Sequence, residues 1–375
     1  MSGIYIHIPF CRQKCYYCDF YKTVNTSLNK LFLEALKKEI LQQKDYLENK
    51  PIETIYFGGG TPSVLKGIEL SEILEFIHNE FRVTADVEIT FEANPDDLTN
   101  TYLKSIYNAG INRLSIGIQS IQNEHLKNMN RRHNAGQAIE SVENAVKIGI
   151  NNISVDLIYG LPNLTNKDWS ASLNQVFQLP VNHLSAYHLT YHEGTTFYTW
   201  LKKGTLKELK ELDSISQFNL LVEASKKYGF EQYEISNFAK NKMYSKHNTA
   251  YWLGKNYLGL GPSAHSFNGT SRRWNVSHVE SYIKAIENKK SYFEEEILSE
   301  NEKYNEYILT RIRTIWGVSI DFIQDNFGEE KANYFRRNIK KYQSSNLVIQ
   351  ENGVYTLSEK GLFVSDEIMA NLMII

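Results

Sequence analysis

Over the first half of the chain, short runs of alternating apolar and polar side chains take turns with longer stretches whose apolar positions recur every three or four residues. The first pattern predicts β-strands at residues 4–8, 52–57, 86–92, 113–118, 152–157 and 183–188; the second predicts helices over 28–47, 68–81, 98–109, 135–148 and 168–177. Asn108-Ala109-Gly110 and Ile148-Gly149 read as helix ends with glycine at the C-terminal cap. A strand followed by a helix, repeated, predicts a parallel sheet with right-handed crossovers. About six such units are present where a closed barrel has eight, so the predicted fold is α/β: an open, partial (β/α)6 barrel of the TIM type.

The strand faces sharpen this prediction. Parallel strands covered on both sides are normally apolar throughout, but these alternate. Tyr5 and His7 share one face with Thr54 and Tyr56, with Glu88, Thr90 and Glu92, with Ser115, Gly117 and Gln119, and with Ser154 and Asp156. The other face carries Ile4, Ile6, Ile8, Ile55, Phe57, Ile89, Phe91, Leu114, Ile116, Ile118, Ile153, Val155 and Leu157. With a period of two, the apolar face meets the helices. Carboxylates do not suit the interior of a packed barrel, so the polar face is expected to line an open lumen that holds a ligand.

In parallel α/β architectures ligands collect at the C-terminal ends of the strands. Here those ends are followed by a cysteine loop, by Gly58-Gly59-Gly60-Thr61-Pro62, by Glu92-Ala93-Asn94-Pro95, by Gly117-Ile118-Gln119-Ser120 and by Asp156-Leu157-Ile158-Tyr159-Gly160-Leu161-Pro162. The glycines would let backbone amides approach a ligand closely. Any one of these stretches could be a turn; five after successive strands point to a site.

From 191 to about 300 the βα rhythm is lost, and His247-Asn248-Thr249-Ala250-Tyr251-Trp252 stands out. A histidine beside aromatics is usually a packed, hydrogen-bonded side chain, yet histidine is also an axial ligand of haem iron and aromatics suit a flat macrocycle. Residues 304–314 and 329–342 read as helices. Leu347-Val348-Ile349 and Gly353-Val354-Tyr355-Thr356-Leu357 read as strands joined at Glu351-Asn352-Gly353, an order like that of a winged helix. The expected division is a barrel over 1–215, an extension carrying the His247 stretch over 216–300, and a winged-helix-like α+β domain over 301–375.

Composition alters little. With 375 residues the chain can bury a full core, and 41 basic against 43 acidic side chains give no field that would favour nucleic acid. Arg336, Arg337, Lys340 and Lys341 form a local basic run, which on a helix is more often a solvated face. No leader-like segment and no apolar run long enough to span a bilayer are evident, so a cytoplasmic location is expected.

The chemistry is concentrated in Cys11, Cys15 and Cys18, the chain's three cysteines, spaced C-x-x-x-C-x-x-C. Three thiols on so short a loop do not make a disulfide set. They suit an iron–sulfur cluster or zinc. A four-iron cluster usually takes four cysteines, so one iron would be left open to an outside ligand. A zinc site completed by His7 is the alternative, although zinc hooks normally come in pairs.

Taken together, CRQKCYYC, GGGTP, EANP, GIQS and DLIYGLP resemble the radical S-adenosylmethionine (SAM) superfamily, over nearly the whole chain. More narrowly they resemble the branch that holds oxygen-independent coproporphyrinogen III dehydrogenase and the HemW-type haem chaperones. The resemblance implies a [4Fe–4S] cluster on Cys11, Cys15 and Cys18, with SAM chelating the fourth iron. It implies SAM contacts at Tyr5, Gly59, Gly60, Thr61 and Glu92. Positions that meet a second SAM in the dehydrogenase match Tyr17, Gln119, Arg131, Asp156 and Thr190. Two departures favour the chaperone side: Phe20 stands where the dehydrogenase has a further cysteine, and Cys11 lies almost at the start of the sequence. HNTAYW at 247–252 matches the H-N-x-x-Y-W haem signature of that group, which makes His247 an expected haem contact.

The resemblance therefore implies a chaperone that binds haem and hands it to acceptor haemoproteins. It further implies transient contact with membrane respiratory complexes, peripheral at the membrane, and cluster-linked homodimerisation. The alternative is a radical SAM oxidoreductase acting on coproporphyrinogen III or another porphyrin-like substrate.

Overall fold

Six parallel strands stand side by side in chain order in the computed structural model, which describes residues 2–374: β1 (Ser2–Ile8), β2 (Ile52–Gly59), β3 (Val83–Ala93), β4 (Arg113–Gln119), β5 (Asn152–Tyr159) and β6 (His183–His188). The crossovers are α1 (Asn29–Gln43), α2 (Gly67–Glu80), α3 (Asn100–Asn108), α4 (Asn123–Asn128), α5 (Ala135–Ile148) and α6 (Asn166–Phe177). The apolar face read from the sequence is buried against these helices, with Ile4, Ile6, Ile55, Phe91, Leu114, Ile153 and Val155 fully covered. Each such side chain contributes about 1.5–3 kcal/mol on burial, which fixes the strand facing, since a slip of one residue would expose the whole set.

Registry carries the polar face across the sheet. Tyr5 pairs with Tyr56, Tyr56 with Thr90, Glu92 with Ser115, Ser115 with Ser154, and Asp156 with Ser185. Helix ends also follow the sequence. Asn134 and Gln137 form a capping box at the start of α5, and Gly149 ends it at a φ of 111°, a conformation that glycine adopts without strain. The helix expected over 28–47 stops at Gln43 instead. Tyr46, Glu48 and Lys50 donate to carbonyls three residues back, turning the chain while Leu47 stays buried.

The stretch without βα rhythm extends the same sheet at both edges. After α7 (Thr196–Lys202) and α8 (Glu211–Lys227), β7 (Phe230–Gln232) and β8 (Asn237–Lys240) join antiparallel beside β6. Beyond α9 (Lys246–Trp252), β9 (Asn256–Leu260) pairs parallel to β1, and β10 (His265–Phe267), β11 (Ser271–Asn275) and β12 (Phe293–Ile297) continue antiparallel, with α10 (Val279–Glu287) between the last two. The barrel thus stays open and becomes a curved twelve-stranded sheet. Edge strands of three to five residues lack the length for a sequence period to show.

The remaining residues pack around their own core of Tyr304, Ile308, Phe335, Ile339, Tyr355 and Leu372. The order is α11 (Glu300–Arg311), β13 (Val318–Ser319), α12 (Ile320–Phe327), α13 (Glu329–Ser344), β14 (Val348–Glu351), β15 (Val354–Leu357) and α14 (Ser365–Leu372), with sheet order β13-β15-β14. This is the expected winged-helix-like unit. Asn352 and Gly353 take positive φ of 49° and 77°, as a two-residue hairpin turn requires.

Candidate functional site

The C-terminal ends of β1 to β6 open onto one cavity of about 450 Å³. Its wall includes Cys11, Cys15, Cys18, Tyr17, Gly59, Gly60, Thr61, Glu92, Gln119, Arg131, Asp156 and Thr190. Residues spread over 180 positions of sequence are thereby brought together as expected. Two candidates are not. Tyr5 and His247 are absent from the wall, each for a reason that the geometry supplies.

Backbone bonds on three sides set the cysteine loop. Cys11 N–H donates to Thr23 O (2.9 Å) and Thr23 N–H to Pro9 O (2.7 Å), closing the base of the loop. Gly60 and Thr61 donate to Ile8 O and Phe10 O (both 2.8 Å), joining the glycine loop to the same segment. A Cβ on Gly60 would lie 2.7 Å from Phe10 O, so a side chain there would force the two apart. On the third side Tyr16 N–H donates to Met129 O (3.2 Å), Gln13 Nε2 donates to Asn130 O (2.9 Å), and Asn130 Nδ2 donates to Lys14 O (2.8 Å).

That last contact delivers Arg131 to the cysteines. Its guanidinium donates to Cys15 Sγ (3.3 Å), Asn94 Oδ1 (2.6 Å) and Gly117 O (2.7 Å), while Nε is buried without a partner. Thr61 Oγ1 donates to Cys11 Sγ (3.2 Å), and Lys22 Nζ braces the loop through Cys18 O (2.6 Å). Burial pushes the Cys11 thiol up to about 11, a cost of ionisation that the charge of a bound metal would offset. The donors already aimed at Cys11 and Cys15 fit thiolate ligands of a cluster. Among the described residues no three His, Cys, Asp or Glu side chains are gathered closely enough to hold a single metal ion. His7 is committed elsewhere, its Nε2 to Tyr21 O (3.1 Å) and its Nδ1 to the Tyr5 hydroxyl (3.3 Å), which weighs against the zinc alternative.

The carboxylates sit opposite. Burial pushes Glu92 up to about 7; it accepts from the Tyr56 hydroxyl (2.7 Å) and from Gly59 N–H. Burial likewise pushes Asp156 up to about 6 against the bonds from Ser185 and Ser115. Two acids held near neutrality in a cavity can meet an ammonium group by ionising as it binds. Gln119 has a φ of 66° at an irregularity in the β4–β5 pairing, which turns its side chain into the cavity over the bare Gly117.

His247 lies outside the cavity wall. It is 2% exposed, on α9, and closes the base of the lumen beneath the cavity. Its Nδ1 bonds Thr54 Oγ1 (2.8 Å), its Nε2 bonds the Tyr251 hydroxyl (2.8 Å), and its ring stacks on Tyr56 at 5.0 Å. Burial and the Arg113 charge push it down to about 3, so the ring is neutral. Both nitrogens are thus hydrogen-bonded in this arrangement, and the neighbouring Asn248, not His247, reaches the cavity wall. Tyr5 lies in the same lower layer, within 6.4 Å of the His247 ring. Gly3 makes room for this packing, since a Cβ there would stand 2.6 Å from Thr54 Oγ1.

Sequence reading also missed wall residues. Arg113 is 1% exposed yet faces the cavity, one step of the strand period before Ser115. Tyr187 follows Ser185 in the same way on β6. Continuing the alternation by one residue at each strand would have found both.

Comparison with known proteins agrees with the fold. The family model described as the radical SAM superfamily matches residues 5–176, and that of the HemN C-terminal domain matches 298–364. The chain is 33% identical to the Bacillus subtilis protein named heme chaperone HemW, over 98% of each chain. It is 30% identical to the Lactococcus lactis protein of the same name, over 100% of this chain and 97% of that one. Among solved structures, coproporphyrinogen III oxidase (HemN) from Escherichia coli, titled a radical SAM enzyme, superposes with a TM-score of 0.86 at 22% identity, covering 99% of this chain and 90% of its own.

Proposed function

This chain belongs to the radical SAM superfamily, in the branch of the HemW-type proteins, and from that membership we propose that it is a haem chaperone. In this reading it binds haem, passes it to acceptor haemoproteins, and carries a [4Fe–4S] cluster with exchangeable SAM. The observation that carries it is the open mouth of the cavity beside the cysteine loop, where Phe20 stands 66% exposed. An apolar ring at the rim of a polar cavity suits a flat macrocycle that must later leave.

Cys11, Cys15 and Cys18 would hold the cluster, and Gly59, Gly60, Thr61 and Glu92 the amino and carboxylate ends of SAM. The cluster, when bound, supplies electrons at low potential. Arg131 and Thr61 stabilise the sulfurs by hydrogen bonding, and Gln119, Asp156, Tyr17 and Thr190 line the space beyond. The acceptors would be haemoproteins, respiratory membrane complexes among them, approached from outside the bilayer. No described helix is long and apolar enough to cross a membrane.

Anaerobically reconstituted protein titrated with haemin should show a saturable Soret difference band, and apo-haemoprotein added afterwards should gain the haem. A titration with no saturation overturns the reading. The complete cavity wall favours, as a second reading, radical SAM oxidation of a porphyrinogen. Robust anaerobic decarboxylation of coproporphyrinogen III would put that reading first.

A further inference from the structure

Three basic side chains line the cavity: Lys22, Arg113 and Arg131. Arg131 is held by Cys15, Asn94 and Gly117, and Lys22 by the carbonyls of Cys18 and Phe20. Arg113 is different. It is 1% exposed, its Nε is buried without a partner, and among the described residues its guanidinium makes no hydrogen bond and no ion pair.

A buried cation is normally paired. The carboxyls nearest in the lumen are engaged by other donors instead. Glu92 accepts from the Tyr56 hydroxyl and Gly59 N–H, Asp156 from Ser115 and Ser185, and Glu88 from His247 N–H (3.3 Å). These acids balance the charge of Arg113 from a distance. They leave its fork of N–H donors unanswered.

The strand places that fork at the floor. Arg113 opens β4, between Thr90 of β3 and Asn152 of β5. Above it on the same face stand Ser115 and Gly117, and Ser185 lies across from Asp156. Ser115, Gly117 and Ser185 all belong to the cavity wall. Small side chains above a long one let the cavity reach down to the guanidinium, which is how so deeply buried a residue comes to line it.

A planar guanidinium pairs with a carboxylate or a phosphate through two parallel hydrogen bonds. The floor suits the carboxylate, because a doubly charged anion would be repelled by Glu92 and Asp156 where a single charge meets one cation. Resting on the reading of this cavity as the ligand site of a haem chaperone, we propose that Arg113 receives a carboxylate of the bound ligand at the floor of the cavity. Two ligands of that reading bring such a group: the amino-acid end of SAM and the acid side chains of a tetrapyrrole.

The test measures the affinity of the reconstituted wild type, Arg113→Met and Arg113→Lys for two pairs of probes, haemin with its dimethyl ester and SAM with decarboxylated SAM. Within each pair only the free carboxylate is lost. In the arm that supplies the group, the wild type should bind the acid about tenfold or more tighter than its counterpart, as a hydrogen bond between charged groups predicts. Arg113→Met should bind the two alike. Arg113→Lys keeps the charge and loses the fork, so its preference should fall between; it decides the matter if the methionine variant does not fold. A preference absent from the wild type in both arms overturns the assignment and leaves the chaperone reading in place. So does one that survives undiminished in the variants, however much overall binding weakens, since loss of a charge that only balances the acids would weaken both probes alike. A wild type that binds no haemin overturns the chaperone reading, and the SAM arm then decides Arg113 alone.

Discussion

Replacing Thr54 by valine tests what His247 is for. The two side chains are 0% and 2% exposed, and the Thr54 hydroxyl is the partner of His247 Nδ1 at 2.8 Å. Valine keeps the shape and removes the hydroxyl, leaving a ring nitrogen buried without a partner, at a cost of about 1–3 kcal/mol. Tyr251→Phe does the same to Nε2, bonded at 2.8 Å. Each kcal/mol corresponds to about 2–4 °C of melting temperature in a domain of roughly 150–250 residues, and the larger barrel should move somewhat less. Thermal unfolding followed by circular dichroism should therefore show both variants melting a few degrees early. The haemin Soret spectrum of each should match the wild type. If both melted with the wild type while haem binding fell in step with either hydroxyl, the imidazole would be a haem contact rather than a packed base of the lumen.

Three further outcomes follow from the geometry. Burial holds the Glu39 carboxyl up at about 7 although Tyr282, Gly261 and Asn275 all donate to it, so between pH 4.5 and 7 the folded chain keeps a proton that the unfolded chain has lost. Stability must then fall as pH rises through that window, by about 3 kcal/mol at 1.36 kcal/mol per unit. Glu39→Gln should flatten the difference in denaturant midpoint between pH 5 and pH 8, and an unchanged difference would falsify the assignment. Alanine at Cys11, Cys15 and Cys18 together should abolish the roughly four irons per chain expected after reconstitution; iron retained at the wild-type level would mean that the loop is not the ligand set. Arg131→Met removes the donor to Cys15 Sγ and leaves Gly117 O and Asn94 Oδ1 short of a partner. It should lower cluster occupancy and shift its spin-resonance signal, and a variant with wild-type iron content and an unshifted signal would show that the contact does not support the cluster.

Much of the barrel was legible in the sequence because its signals are local. A period of two along β1 to β5 states which side chains face inward, and burial of the opposite set leaves no other facing. The five loops after those strands, and three cysteines within eight residues, likewise need no partner elsewhere in the chain to be recognised. Chain order alone therefore specified the parallel strands, the polar lumen and most of the wall of the cavity.

Depth along the lumen was not legible. Tyr5 and Glu92 share the inward face, yet one lies below the cavity and the other in its wall, because registry between strands and the shape of what plugs the base set the height of each residue. His247 shows this most clearly. Its neighbours in sequence suggest a ligand, while in space Thr54, from almost two hundred residues away, bonds its Nδ1, Tyr56 stacks on its ring, and Tyr251, one turn along α9, bonds its Nε2. The alternation of polar and apolar residues decided which way each side chain faces; only long-range packing decided which of them a bound molecule can touch.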